Sequence, residues 1–170
     1  MEPVTPDQRP PEEARRVVVA EQEAHHEPDV TLVVGFDRDD VSRAALTVAA
    51  DLAGRLAARL VVVHVVDLTD YPIDPEADDW EEQAQRTLSE ERDTVQQLLA
   101  AHRFGWSYEA RSGSPADALV TAAETHDALL IVVGRHGSRV GGLLRRLLGG
   151  SVSRRLVTAT TRPVLVVPHA

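Results

Sequence analysis

This 170-residue sequence predicts an α/β domain: one doubly wound, five-stranded parallel sheet with helices on both faces. Three observations point to it. Short apolar runs alternate with stretches of helical periodicity. The runs are nearly continuous rather than alternating, as strands buried on both faces are. A glycine-rich segment follows one run and precedes a helical pattern, the arrangement in which backbone N–H groups and a helix N-terminus receive an anion. With short connections this order implies a parallel sheet between two helix layers, and ligands in such sheets bind outside the carboxyl ends of the strands.

Each element has its own signal. The first strand is Val30–Phe36, ending at Asp37. Asp40 or Ser42 is placed to cap the next helix, whose apolar positions Ala45, Val48, Ala49, Leu52, Ala53 and Leu56 recur at helical spacing. Leu60–Val66 is the second strand. A polar loop through Tyr71 and Pro75 leads to a long helix with Trp80, Ala84, Leu88, Val95, Leu98 and Leu99 on its apolar face. Trp106–Arg111 alternates, which predicts a third strand at an edge or in a half-exposed position. Ser114 as N-cap, Pro115 at the first helical position and Asp117 in the first turn start a helix that runs to about His126. Leu129–Val133 is the fourth strand, a helix follows from about Ser151 to Thr160, and Val164–Val167 is the fifth strand.

Residues 1–29 carry five prolines and eight acids against three arginines, the composition of a disordered acidic tail, leaving a domain over 30–170. Within the tail, Val17–Ala20 is apolar enough for a short helix or for docking on a partner.

Composition excludes several functions. There is no cysteine, so disulfides, thiolate metal sites and cysteine nucleophiles are absent. There is no lysine, which removes a P-loop cation, a Schiff base and the conserved cation of phosphoacceptor receiver domains, despite Asp37, Asp39 and Asp40 at a strand end. A net charge of -9 argues against general nucleic-acid binding. No apolar run approaches the roughly 20 residues of a membrane span, and no secretory signal is visible, so the expected location is cytoplasmic. Against the acidic total, the stretch from Ala128 onward holds seven arginines and no acid. Arg145 and Arg146, between leucine pairs, read slightly better as the polar face of a short amphipathic turn than as phosphate ligands. His136 reads as a phosphate contact or an exposed loop histidine, and His64, inside an apolar strand, as a core histidine. His25, His26, His126 and His169 lack metal-ligand companions at useful spacing.

Six segments together resemble the universal stress protein family: Leu32–Asp37, Val61–Val66, Gly113–Leu119, Val132–Gly137, Gly150–Leu156 and Arg162–Val167. The resemblance covers Val30 to Pro168. It implies a Rossmann-like layering and, for the nucleotide-binding members, a glycine pattern that Gly134-x2-Gly137 and Gly150-Ser151 match at its two ends. The twelve residues between Gly137 and Gly150 exceed the family spacing by three. A further departure is Arg38-Asp39-Asp40, where the family often has Gly-Ser.

By resemblance, ATP or ADP, with Mg²⁺ accompanying it, lies at the strand ends. Asp37 lies near the ribose, the backbone around Val65 at the adenine, and Gly134, His136, Gly137, Gly150, Ser151 and Ser153 on the phosphates, with Gly35, Phe36, Val133 and Val152 in the same nucleotide-binding set. The resemblance implies a stress-response regulator and a homodimer formed through the last strand, binding neither nucleic acid nor membrane. Hydrolysis is expected to be weak at most, since no general base is aligned with a positioned nucleophile. The alternative is a nucleotide-free dimeric interaction module of the same fold.

Overall fold

The computed structural model describes residues 16–24, 28–66, 80–135 and 152–168. The described elements follow in the order β1 (Arg16–Gln22), β2 (Thr31–Gly35), α1 (Asp40–Leu56), β3 (Arg59–Val66), α2 (Trp80–Leu99), β4 (Trp106–Ser112), α3 (Pro115–Thr125), β5 (Leu130–Gly134), α4 (Val152–Ala159) and β6 (Val164–Val167). They form one sheet of order β1-β4-β3-β2-β5-β6, parallel throughout except for the antiparallel β1.

Continuous apolar strands are what a sheet covered on both faces requires. Leu32, Val34, Leu60, Val62 and Val132 face α1 and α2, with Ala45, Ala49, Ala53, Val95 and Leu99 packed against them. Val33, Val61, Val63, Ile131 and Val133 face Ala116, Leu119, Ala122, Ala123 and Leu156 of α3 and α4. The many alanines on α1 and α3 let the helix axes approach the sheet closely. Val95 and Leu99 of α2 are buried as their spacing predicts, whereas Leu98 is partly exposed. α1 is capped by Asp39 rather than by Asp40 or Ser42: its Oδ1 accepts from Ser42 N at 2.7 Å. Ser42 then turns its hydroxyl back to Asp37 O and Asp39 O.

The doubly wound class stands, but the sheet has six strands instead of five. The sixth lies within the stretch read as a disordered tail. Val17–Ala20 neither forms a helix nor awaits a partner; the β-branched run docks on its own domain, pairing Arg16 with Arg111 and Gln22 with Trp106 across β4. β4 is therefore internal, and Trp106 to Arg111 are buried, not half-exposed. Alternation misled because the polar alternates Ser107, Glu109 and Arg111 are buried as well, Glu109 and Arg111 as partners of each other. Glu109, fully enclosed, accepts from Arg16 Nη2 at 2.7 Å, from Arg111 Nε and Nη2 at 3.1 and 2.9 Å, and faces His126 Nε2 at 2.8 Å. Gln22 adds bonds to His102 O and Phe104 O, tying the far end of β1.

Candidate functional site

The chain crosses from β2 to β3 to β4 on one side and then returns to place β5 on the other side of β2. This reversal of strand order opens a crevice at the carboxyl ends of β2, β3 and β5. A cleft open to solvent occupies that position; its space, open solvent at the mouth included, is about 540 Å³. It is lined by Gly35, Phe36 and Asp37 after β2, by Val63, His64 and Val65 of β3, and by Val133 and Gly134 of β5. Ser42 of α1, Pro115 and Leu119 of α3, and Val152 of α4 complete it.

Local sequence explains how these groups meet. Gly134 ends β5 directly against α1: a Cβ placed there would lie 2.5 Å from Val41 Cγ1 and 2.8 Å from Val41 O. Only glycine lets the backbone approach so closely. Pro115 opens α3 after Ser114, whose position as N-cap is as predicted although its hydroxyl makes no capping bond. Val152 opens α4. The positive ends of two helices thus face the same crevice as the β5 backbone, which favours an anion there. Asp37 is half-buried, and its Oδ1 accepts from Arg38 N at 2.7 Å. Asp39 is occupied by the α1 cap and Asp40 is exposed in its first turn.

Of the sequence-predicted site residues, Gly35, Phe36, Asp37, Val65, Val133, Gly134 and Val152 are brought together in the lining. Ser153 follows Val152 in the first turn of α4, outside it. His136, Gly137, Gly150, Ser151, Arg145 and Arg146 lie outside the described residues. Sequence reasoning missed Ser42, Val63, Pro115 and Leu119 as lining, and favoured a core role for His64 over a functional one. Position was the available signal: His64 precedes Val65 at a strand end, and Pro115 begins a helix at the same edge. His64 is both buried and in the cleft wall, with Nδ1 at 3.3 Å from Phe36 O and Nε2 at 3.4 Å from Glu91 Oε2. Among the described arginines of the basic stretch, Arg162 pairs with Asp127 and Ala128 O, and Arg155 lies 3.9 Å from Asp117 of α3. Both serve packing between elements.

Fold and site together define a doubly wound α/β domain with a ligand crevice at its strand-order reversal, walled by apolar side chains and open to anions at two helix ends. The universal stress protein family model matches residues 30–168, and the chain belongs to that family. A universal stress protein of Mycolicibacterium smegmatis is 34% identical over 159 residues, covering 89% of this chain and 50% of the relative, so the chain spans half of that relative's length. A universal stress protein of Methanocaldococcus jannaschii is 32% identical over 139 residues, 80% of each chain. Among solved structures, a universal stress protein in complex with cAMP is 27% identical, with a TM-score of 0.56, over 81% of this chain and 95% of its own. The Archaeoglobus fulgidus protein in complex with dAMP shares the fold at 22% identity and a TM-score of 0.54, over 81% and 96%. Among the described residues no helix is long and apolar enough to cross a membrane.

Proposed function

We propose that the cleft binds an adenine nucleotide, ATP or ADP, and that the chain works as a stress-linked regulator in the cytoplasm. One observation carries this reading: the apolar crevice at the ends of β2, β3 and β5 meets a close backbone approach at Gly134 and the N-termini of α3 and α4. A purine fits the apolar wall around Val63 and Val65, and the Asp37 carboxylate suits ribose hydroxyls. The phosphates extend toward Gly134 and Val152, where helix dipoles and backbone N–H groups stabilise negative charge. Asp39 and Asp40, the acids that would oppose a polyphosphate, are a helix cap and an exposed first-turn residue. The cAMP complex of the 27% identical relative supports the same ligand class.

His136, Gly137, Gly150, Ser151 and Ser153 complete the phosphate side in this reading. Mg²⁺ would be held through Asp37 or by phosphate oxygens alone, and would neutralise phosphate charge. Calorimetric titration with ATP and ADP, together with analysis of nucleotide released from the denatured purified protein, tests the reading. Saturable binding, and a melting temperature that rises with nucleotide, are the expected results. No binding at millimolar nucleotide overturns it and favours the nucleotide-free interaction module.

A further inference from the structure

Behind the cleft, one buried carboxylate on α2 gathers side chains from three other segments. Glu91 is 2% exposed. Its Oε2 accepts from Tyr108 Oη at 2.7 Å, from β4. The same oxygen lies 3.4 Å from His64 Nε2, at the end of β3. Its Oε1 is 3.1 Å from Arg38 Nε, in the loop after β2, an ion pair rather than an aligned hydrogen bond. His64 reaches onward through Nδ1 to Phe36 O. The rim of the cleft, Phe36-Asp37-Arg38, is therefore held on both sides of Asp37 by groups that converge on Glu91. Asp37 itself is fixed to the rim by Arg38 N.

We propose that Glu91 is a positioning residue for the cleft, acting on Asp37 through Arg38 and His64 without touching the ligand. This rests on the nucleotide reading above for its consequence on affinity, but not for the geometry. Isolated, a buried carboxylate strongly disfavours folding; it is retained when it is paired and hydrogen-bonded. Among the described residues, the pairing links α2 and β4, which contribute none of the cleft lining, to Asp37, the one acidic side chain in that lining. Substitution at Glu91 releases both tethers at once, so the rim must be ordered again when ligand binds, and that ordering subtracts from affinity.

The test compares Glu91→Gln with Val95→Ala, a buried α2 position one turn away with no contact to the rim in this network. ADP affinity, apo melting temperature and backbone amide exchange are measured in each variant. Glu91→Gln is expected to weaken ADP about tenfold and to accelerate exchange of the Arg38 amide by a similar factor. Val95→Ala is expected to lower the melting temperature while leaving affinity and Arg38 exchange within about twofold of wild type, because its effect is packing alone. Wild-type affinity and exchange in Glu91→Gln overturn the proposal. So does a loss of affinity in Val95→Ala equal to that in Glu91→Gln. If Glu91→Gln fails to fold, Arg38→Met replaces it, since that side chain is half exposed. Faster rim exchange and weaker ADP then support the proposal, and no change overturns it. If the wild-type protein binds no adenine nucleotide, the functional reading fails separately, and Arg38 amide exchange alone decides the positioning role.

Discussion

Glu109 places one negative charge against Arg16, Arg111 and His126 in a space closed to solvent. Burial alone would raise its pKa; the hydrogen bond and charge of His126, then the bonds from Arg16 and Arg111, outweigh burial and lower it from 4.5 to about 2. In the unfolded chain the carboxyl binds a proton near pH 4.5, and in the folded chain it does so only near pH 2. The unfolded state therefore binds more protons between these values. The stability from Glu109 is complete above about pH 4.5 and is lost as pH falls through about 2. Denaturant titrations from pH 7 to pH 2 should show this acid limb, and Glu109→Gln should flatten it. At neutral pH that substitution leaves the buried Arg111 and the partly exposed Arg16 facing a neutral amide, with an expected cost of about 3 kcal/mol. Gly134 makes a different demand. Alanine there brings Cβ to 2.5 Å from Val41 Cγ1 and 2.8 Å from Val41 O, so α1 or β5 must shift. Gly134→Ala is expected to cost about 1–3 kcal/mol in chemical denaturation, with ADP affinity falling as the crevice narrows.

At the level of elements, the parallel core was legible because it obeys one rule: continuous apolar runs are strands covered on both faces, as in β2, β3 and β5. The helix start at Ser114-Pro115 was equally legible, being local chemistry. β1 was not, because among prolines and acids its only signal is the apolar patch Val17–Ala20, which does not say what it pairs with. What makes Arg16–Gln22 a strand is the open edge of β4 and a carboxylate 93 positions away. β4 was misplaced for the complementary reason, since Ser107, Glu109 and Arg111 read as solvent-facing until their buried surroundings are known. The cleft followed the same division. Gly35, Asp37 and Gly134 stand at strand ends that sequence can locate, whereas the link from Glu91 to His64 and Arg38 exists only in three dimensions. The dependence of β4 on β1 can be measured. Deleting residues 1–24 removes the pairing beside the buried Trp106 and the Arg16 bond to Glu109. A loss of about 2 kcal/mol is expected, below that for a fully buried pair because Arg16 is partly exposed, lowering Tm by roughly 4–8 °C. Trp106 emission, read in a Trp80→Phe background, should shift to the red. Unchanged emission and Tm would show that β4 is stable as an edge.

Over the whole molecule, the two borders of the sheet are finished differently. On one side β1 closes the domain with the antiparallel strand, bearing exposed Val17 and Val18 but fastened by Arg16 and Gln22. On the other, β6 is a border strand of four apolar residues, Val164–Val167, paired only with β5 among the described residues. Leu165 is 36% exposed there, and Val157 on the neighbouring α4 is 64% exposed. A border that presents unpaired backbone groups and apolar side chains together is a template for association unless something covers it. A second copy of the chain would cover it symmetrically, with the same strand contributed by both partners, as a closed two-fold contact requires. Such a pairing would use the edge of β6, whereas the cleft lies at the strand ends, so nucleotide binding and assembly are to be measured separately. Sedimentation velocity at micromolar protein is expected to give a dimer, and Leu165→Glu a folded monomer, because two buried glutamates facing across the axis repel and lack partners. Retention of the dimer by Leu165→Glu would move the contact elsewhere on the surface. A wild-type monomer at these concentrations would mean that the β6 border stays open to a different partner.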